Sequence, residues 1–218
     1  GKKVVVIDTD LGLRNLDVVM GLENLIVYNL VDVIEGSCRL KQALIRDKRY
    51  ENLYLLPSAQ TKDKSAISPG QMKKLTSELK EDFDYILLDT AAGMGAPFTA
   101  ANRLADRALV VLTPDPVALR DGRIVADALL QSGRPASAVR LVMNRVSRSS
   151  FGKDAAVFDL DECIDTVGLQ LIAAIPESRT LQRAGAAGTA LPQDCPAAIA
   201  GHALAGRILG ERIPLTCF

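Results

Sequence analysis

The sequence of 218 residues contains no tryptophan and a single histidine, His202, and aromatic residues make up only 4% of it. Proteins that bind nucleic acid through base stacking need aromatic platforms, which are scarce here. One histidine also excludes a metal site built from several imidazoles. Basic and acidic residues both number 26, so a formal net charge of zero gives no general attraction to nucleic acid or anionic lipid. We therefore expect no nucleic-acid partner.

The chain also lacks closely spaced cysteines and long hydrophobic runs. Its four cysteines, Cys38, Cys163, Cys195 and Cys217, form no C-x-x-C pair. This spacing favours reduced thiols over a disulfide framework or a zinc site. No apolar stretch approaches the length of about 20 residues that a membrane-spanning helix needs. Together these features predict a cytoplasmic protein.

Short runs of valine, isoleucine and leucine recur along the chain instead. Their composition and length predict buried β-strands. The predicted strands are residues 4–8, 53–57, 85–89, 108–114, 139–144 and 171–176.

Helical patterns alternate with these strands, most clearly over residues 68–82, 116–131 and 195–209. In the first of them Ser68 is a suitable N-cap and Pro69 a suitable first residue. In the second, Val117, Ile124 and Leu129 are expected to form the buried face. Continuous apolar strands alternating with helices predict a three-layer α/β fold, with a mostly parallel sheet covered by helices on both faces. We expect residues 1–218 to form one domain.

Polar residues follow several of the predicted strands at the point where each strand ends. In open α/β sheets, ligands bind beyond the carboxyl ends of the strands. Any one acid at such a place is more often a helix cap, but three acids converging on one sheet edge favour a site for Mg²⁺ and phosphates. The residues concerned are Asp8, Asp10, Asp89, Asn144, Pro176 and Glu177.

Several strings strengthen this interpretation. DTDLGLRNLDVVMGLEN at residues 8–24 resembles the first switch region of the MinD branch of the MinD/ParA deviant P-loop ATPases. The resemblance continues in order through FDYILLDTAAG at 83–93, LVMNRV at 141–146 and AAIPESRTLQRAGAAGTAL at 173–191. The string GLRNLD favours the MinD branch over its neighbours. The resemblance implies a P-loop NTPase-like fold, ATP and Mg²⁺ as ligands, and a role in placing the cell-division septum.

The resemblance implies roles for four residues near the phosphates. Asp10 matches the switch acid that orients the attacking water. Asp8 and Asp89 match the acids that hold Mg²⁺ through water, and Gly93 matches the residue that senses the γ-phosphate.

Other positions match the base pocket and the contact surface of the family. Asn144 resembles the adenine-contacting residue, with Pro176 and Glu177 lining the base pocket. Arg14 and Asn15 fall where such proteins form an ATP-dependent homodimer and meet division-site regulators of the MinC and MinE kind. A solvated helix start is an equally good interpretation of these two residues.

The 218 residues contain no phosphate-binding loop of the form G-x-x-x-x-G-K-[ST]. In the family this loop precedes the opening strand, so we expect a first strand and helix of roughly 30 residues to be missing from the sequence. Without the loop, phosphate binding loses its largest electrostatic contribution. The sequence therefore predicts that this polypeptide alone does not hydrolyse ATP.

The last predicted helix is followed by ERIPLTCF, which contains a proline and little positive charge. This tail does not resemble the basic amphipathic helix by which MinD-like proteins bind membranes. Attachment at the inner face of the bacterial membrane is thus implied by family likeness alone. Two alternatives to the septum-placing ATPase remain open. One is a nucleotide-independent binding module of the same fold, and the other is a branch that regulates partition or flagellar number.

Overall fold

The computed structural model describes residues 1–10, 15–59, 67–157 and 159–215. They form two compact units, one of Gly1–Ala105 with Arg183–Ala190 and one of Asp106–Gln182 with Leu191–Phe218. Both units are α/β and contain mostly parallel strands, which confirms the predicted fold class. Organisation as one domain stays a prediction, and each unit is described on its own below.

The first unit is built on a four-stranded sheet in the order β2-β3-β1-β4. The central strand β1 runs parallel to both β3 and β4, whereas the two-residue edge strand β2 is antiparallel to β3. The strands are β1 (Val4–Asp8), β2 (Ile45–Arg46), β3 (Leu53–Leu56) and β4 (Tyr85–Asp89). The helices are α1 (Leu16–Met20), α2 (Leu30–Ile34), α3 (Leu40–Ala43), α4 (Pro69–Asp82) and α5 (Ala96–Leu104).

Helix α4 forms where the sequence predicts it. The Ser68 hydroxyl accepts a hydrogen bond from the Gln71 N–H at 3.3 Å, and the Gln71 side chain accepts one from the Ser68 N–H at 2.8 Å. This reciprocal cap satisfies two backbone donors at the start of the helix. The helix buries Met72, Leu75 and Leu79 in one core with β1. The carboxyl end of β1 is thereby held by a packed core.

The second unit is built on a three-stranded parallel sheet in the order β5-β6-β7. Its strands are β5 (Ala108–Leu112), β6 (Val139–Val146) and β7 (Leu171–Pro176). Its helices are α6 (Pro116–Gln131), α7 (Leu160–Val167) and α9 (Pro196–Ile208). Helix α8 (Arg179–Ala186) contains the division between the two units.

The predicted buried face of α6 is wrong at two positions. Leu129 is buried, but Val117 is 70% exposed and Ile124 is 47% exposed. The helix instead turns Gly122 toward the sheet, where a Cβ atom would overlap the Leu112 side chain. The buried side of α6 is formed by Leu119, Gly122, Ala126 and Leu129, and the Leu112 side chain packs against it at Gly122.

Candidate functional site

The acids that end β1 and β4 lie side by side. Because β1 and β4 are parallel and in register, Asp8 pairs with Asp89 across the ladder. Asp8 is 2% exposed, whereas Asp89 stands at the exposed end of the outer strand. The sheet thus brings the two predicted metal-holding carboxylates to one edge.

Thr9 and Asp10 connect the ends of the same two strands. The Thr9 N–H and hydroxyl both donate to the Asp89 carbonyl oxygen, at 3.0 and 2.6 Å. The Asp10 N–H donates to the Asp8 carboxylate at 2.9 Å. Sequence reasoning missed Thr9, although its place between the two acids could have indicated it. The Thr9 bonds hold β4 at Asp89 to the end of β1, the Asp10 bond holds Asp10 to Asp8, and the charge of Asp10 acts on Asp89; these three acids form the acidic group of the site.

The group is rich in negative charge. The pKa of Asp8 is raised to about 6, chiefly by burial and also by the charges of Asp89, Asp10 and Asp17, while the hydrogen bond from the Asp10 N–H acts to lower it. Partial desolvation, followed by the charge of Asp10, raises the pKa of Asp89 as well. Asp17, 1% exposed on α1, is a fourth acid that sequence reasoning missed, although it belongs to the quoted string GLRNLD. A cation would relieve the mutual repulsion of these carboxylates.

The donor set fits Mg²⁺, which prefers carboxylate oxygens and keeps several of its own waters. Within residues 1–10, 15–59, 67–157 and 159–215, no three His, Cys, Asp or Glu side chains are arranged to hold a metal ion directly. Carboxylates reaching the ion through water do not need such an arrangement.

The chain turns sharply after Asp89 and lines a cavity of about 220 Å³ with residues between Ala91 and Phe98. Gly93 lies on its lining with φ of +92°, a conformation that side chains other than glycine rarely adopt. A Cβ atom there would meet nothing within 4 Å. The backbone at Gly93 is therefore accessible in the turn that follows Asp89.

In the second unit, the predicted base-pocket residues lie together at the carboxyl ends of β6 and β7. Pro176 pairs with Val146 across the ladder, and the Glu177 N–H donates to the Val146 carbonyl at 2.8 Å. The Asn144 side-chain oxygen accepts from the Arg145 N–H at 3.0 Å. The structure thus groups Asn144, Pro176 and Glu177 as the strand-end rule predicts.

Arg145 is a further member of this group that sequence reasoning missed. Its φ of +57° is the one positive φ recorded for a non-glycine residue in the described part of the chain, and it lies where the β6–β7 register shifts. Its guanidinium donates to the Glu177 carboxylate at 3.0 Å. Sequence patterns carry no signal for such a conformation. The ion pair holds the Glu177 side chain against Arg145, the residue that follows Asn144.

The two predicted contact residues are only partly described. Asn15 is exposed at the start of α1, and its side chain makes no capping hydrogen bond to that helix. Arg14 lies outside the described residues. The roles of both residues in dimer and partner contacts stay predictions.

The tail after α9 is not helical over residues 211–215. The Arg207 guanidinium donates to the carbonyl oxygens of Ile213 and Pro214, at 2.9 and 2.6 Å. Of the helices in the described ranges, none combines the length and apolar composition needed to cross a membrane.

The mostly parallel α/β units, with acids at the ends of β1 and β4, belong to the fold class of the P-loop NTPases, as the match to solved structures of that class shows. A family model described as an AAA domain matches residues 1–127. The septum site-determining protein MinD of Bacillus subtilis is 44% identical over 219 aligned residues, covering 99% of this chain and 81% of that protein.

Solved structures agree with this match. The MinC:MinD cell division complex of Aquifex aeolicus contains a chain that is 35% identical, with a TM-score of 0.89 and coverage of 100% of this chain and 88% of that one. The septum site-determining protein MinD of Pyrococcus horikoshii, complexed with Mg-ADP, is 26% identical, with a TM-score of 0.82 and coverage of 98% and 88%. This chain therefore belongs to the MinD branch of the MinD/ParA ATPases, a family of septum site-determining proteins.

Proposed function

We propose that this protein is an ATP- and Mg²⁺-dependent switch that places the division septum through partner proteins. One observation carries the proposal: Asp8, Asp10 and Asp89 form a single acidic group at the ends of neighbouring strands. The Mg-ADP complex of the Pyrococcus horikoshii relative supports nucleotide and Mg²⁺ as ligands of this fold.

Within this proposal, Asp8 and Asp89 hold Mg²⁺ through its water shell, and the bound ion neutralises phosphate charge. Asp10 accepts a hydrogen bond from the attacking water and orients it. Gly93 senses the γ-phosphate through its accessible backbone. These roles need the carboxylates to be ionised, and the cation favours that form because opposite charge lowers a carboxylate pKa.

We further propose that Asn144, Pro176 and Glu177 line the pocket for the adenine base. The amide of Asn144 can both donate to and accept from the edge of adenine. Asn144 and Glu177 both bond to Arg145 near the carboxyl ends of β6 and β7, which supports this assignment.

A regulator of the MinC kind is the partner that the Aquifex aeolicus complex supports, with MinE-like regulators as further candidates. Helix α1 offers a contact surface, since Val18 and Val19 are 46% and 51% exposed and Asn15 is exposed at its start. We place the ATP-dependent homodimer contact at Arg14 and Asn15. Such a switch works in the cytoplasm, with membrane attachment a prediction from family likeness.

The upstream phosphate-binding loop stays a prediction, and the reading frame ahead of residue 1 tests it. A K-G-G-x-G-K-T-like stretch in frame supports the ATPase. A start codon at this point favours a nucleotide-independent binding module. The experiments use protein expressed from the start codon of its reading frame, so that any residues encoded ahead of residue 1 are included.

Replacement of Asp10 by Ala tests the hydrolytic role. We expect the ATPase kcat to fall about 100-fold, as on loss of a group that positions or activates the nucleophile. The Kd for Mg-ATP should stay within about threefold, because Asp8 and Asp89 remain. The matched control is Asp82→Asn, which removes an exposed carboxylate 3.9 Å from Lys41 at the end of α4. Equal loss of activity in both variants would contradict the assignment, and wild-type protein that binds no Mg-ATP would overturn the proposed function.

A further inference from the structure

A nearly buried ion pair occupies the turn between β2 and β3. Asp47 is 2% exposed, and its carboxylate accepts two hydrogen bonds from the Arg49 guanidinium, at 3.1 Å from Nε and 2.7 Å from Nη2. The same carboxylate accepts the backbone N–H groups of Arg49 and Tyr50, at 2.7 and 3.2 Å. This bidentate geometry fixes the plane of the guanidinium.

The remaining N–H groups of the same guanidinium connect two distant segments of the first unit. Arg49 Nη2 donates to the carbonyl oxygen of Met20, the last residue of α1, at 2.9 Å. Arg49 Nη1 donates to the carbonyl oxygen of Gly188 at 3.0 Å. A cation at the end of a helix also interacts favourably with its exposed carbonyls. Arg49 thus joins the end of α1 to the segment that contains Gly188.

The same two segments are in backbone contact. Gly21 and Gly188 both have positive φ, +64° and +59°, and a Cβ atom on either would overlap the backbone of the other. The pair can meet only because neither has a side chain. Beside this contact, Arg49 donates to the carbonyls of Met20 and Gly188. The end of α1 is therefore held both by these hydrogen bonds and by the contact between the two glycines.

The other end of α1 leads to the acidic group. The helix begins at Leu16, six residues after Asp10, and carries the buried Asp17. Its outward side exposes Val18 and Val19. Through Asp17, whose charge acts on Asp8, the helix borders the acidic group.

We propose that Arg49 is a positioning residue of the site: by holding the carboxyl end of α1 it fixes the helix that carries Asp17 and that follows Asp10 in the chain. This inference rests on the proposed function and names a residue that positions the same site without touching the nucleotide. Lysine cannot replace the guanidinium fully, because it lacks the planar array of donors that spans a carboxylate and two carbonyls.

The test compares Arg49→Ala and Arg49→Lys with the matched control Arg46→Ala in the protein expressed from its reading frame. Arg46 lies three residues earlier and donates to the Glu51 carbonyl within the same hairpin, at 2.9 Å. Three quantities are measured: the ATPase kcat, the Kd for Mg-ATP, and hydrogen exchange of the amides of Val19, Gly21 and Leu22. These amides bond to carbonyls of residues 15–18 in the wild type.

For Arg49→Ala we expect kcat to fall at least about tenfold, since small misplacements of positioned groups reduce rates strongly. The Kd should stay within about twofold, and the three amides should exchange at least about tenfold faster. Arg49→Lys should lie between Ala and wild type, and Arg46→Ala should match wild type in all three quantities.

A lower melting temperature in Arg49→Ala with wild-type kcat below that temperature would show a merely structural role and overturn the proposal. An equal fall of kcat in Arg46→Ala would overturn it too. If the wild type does not hydrolyse ATP, the proposed function fails and the role of Arg49 in hydrolysis fails with it. In that case the exchange rates still decide whether Arg49 anchors α1, and unchanged rates in Arg49→Ala would overturn the anchoring as well.

Discussion

Replacement of Asp8 by Asn is expected to stabilise the cation-free protein above pH 7 by about 3 kcal/mol. In the wild type an ionised carboxylate must be kept at a site that is 2% exposed and close to Asp10, Asp17 and Asp89. A rise of the pKa from 3.8 to about 6 corresponds to roughly 3 kcal/mol at 1.36 kcal/mol per unit. Asparagine is neutral, and its side-chain oxygen can still accept the Asp10 N–H.

The same shift makes the stability of the wild type depend on pH with a definite sign. Because the folded pKa lies above the unfolded one, the folded state binds more protons between about pH 4 and pH 6. The stabilisation is complete below the unfolded pKa and is lost as pH rises through the folded pKa. Urea denaturation in EDTA between pH 4 and pH 8 measures the loss. Asp8→Asn should remove this contribution and Asp82→Asn should keep it, whereas a wild-type pH profile in Asp8→Asn would contradict the explanation.

Replacement of Gly21 by Ala is expected to destabilise the first unit by about 3 kcal/mol, the sum of steric overlap and backbone strain. The added methyl group would overlap the carbonyl oxygen of Gly188, and a backbone atom cannot turn aside as a flexible side chain can. The positive φ adds a further strain of about 1–2 kcal/mol for any residue with a Cβ atom.

Gly36→Ala separates the two contributions. Gly36 has a similar φ of +76°, but a Cβ atom there would meet nothing within 4 Å. It should therefore cost only the backbone strain of about 1–2 kcal/mol. Urea denaturation of both variants measures the difference, and equal losses would show that the Gly21–Gly188 contact contributes nothing.

Most strands could be predicted from the sequence because buried parallel strands are continuous apolar runs. The bounds of β1, β4 and β7 agree with the prediction to the residue, and β6 extends two residues beyond it. The edge strand β2 was missed, since two residues carry no period. Helices α1, α2 and α3 have four or five residues and are too short for a helical pattern.

The acidic group could be predicted because parallel strands end at the same edge of a sheet. That rule groups Asp8 with Asp89 without any knowledge of their register. Asp17 could not be found this way, since its approach to Asp8 depends on the placement of α1. The ties from Arg49 to Met20 and Gly188 join residues up to 139 positions apart, which no local pattern shows.

The roles of the site residues are proposed from the family resemblance, and one measurement tests the central one. Titration of the protein with Mn²⁺ and ATP, followed by electron paramagnetic resonance, reports the bound metal directly. We predict one Mn²⁺–ATP bound per chain in the wild type and binding at least about tenfold weaker in Asp89→Asn, which removes a charge worth more than 1.4 kcal/mol to the bound ion. Equal affinity in the two proteins would contradict a metal–nucleotide site at the ends of β1 and β4.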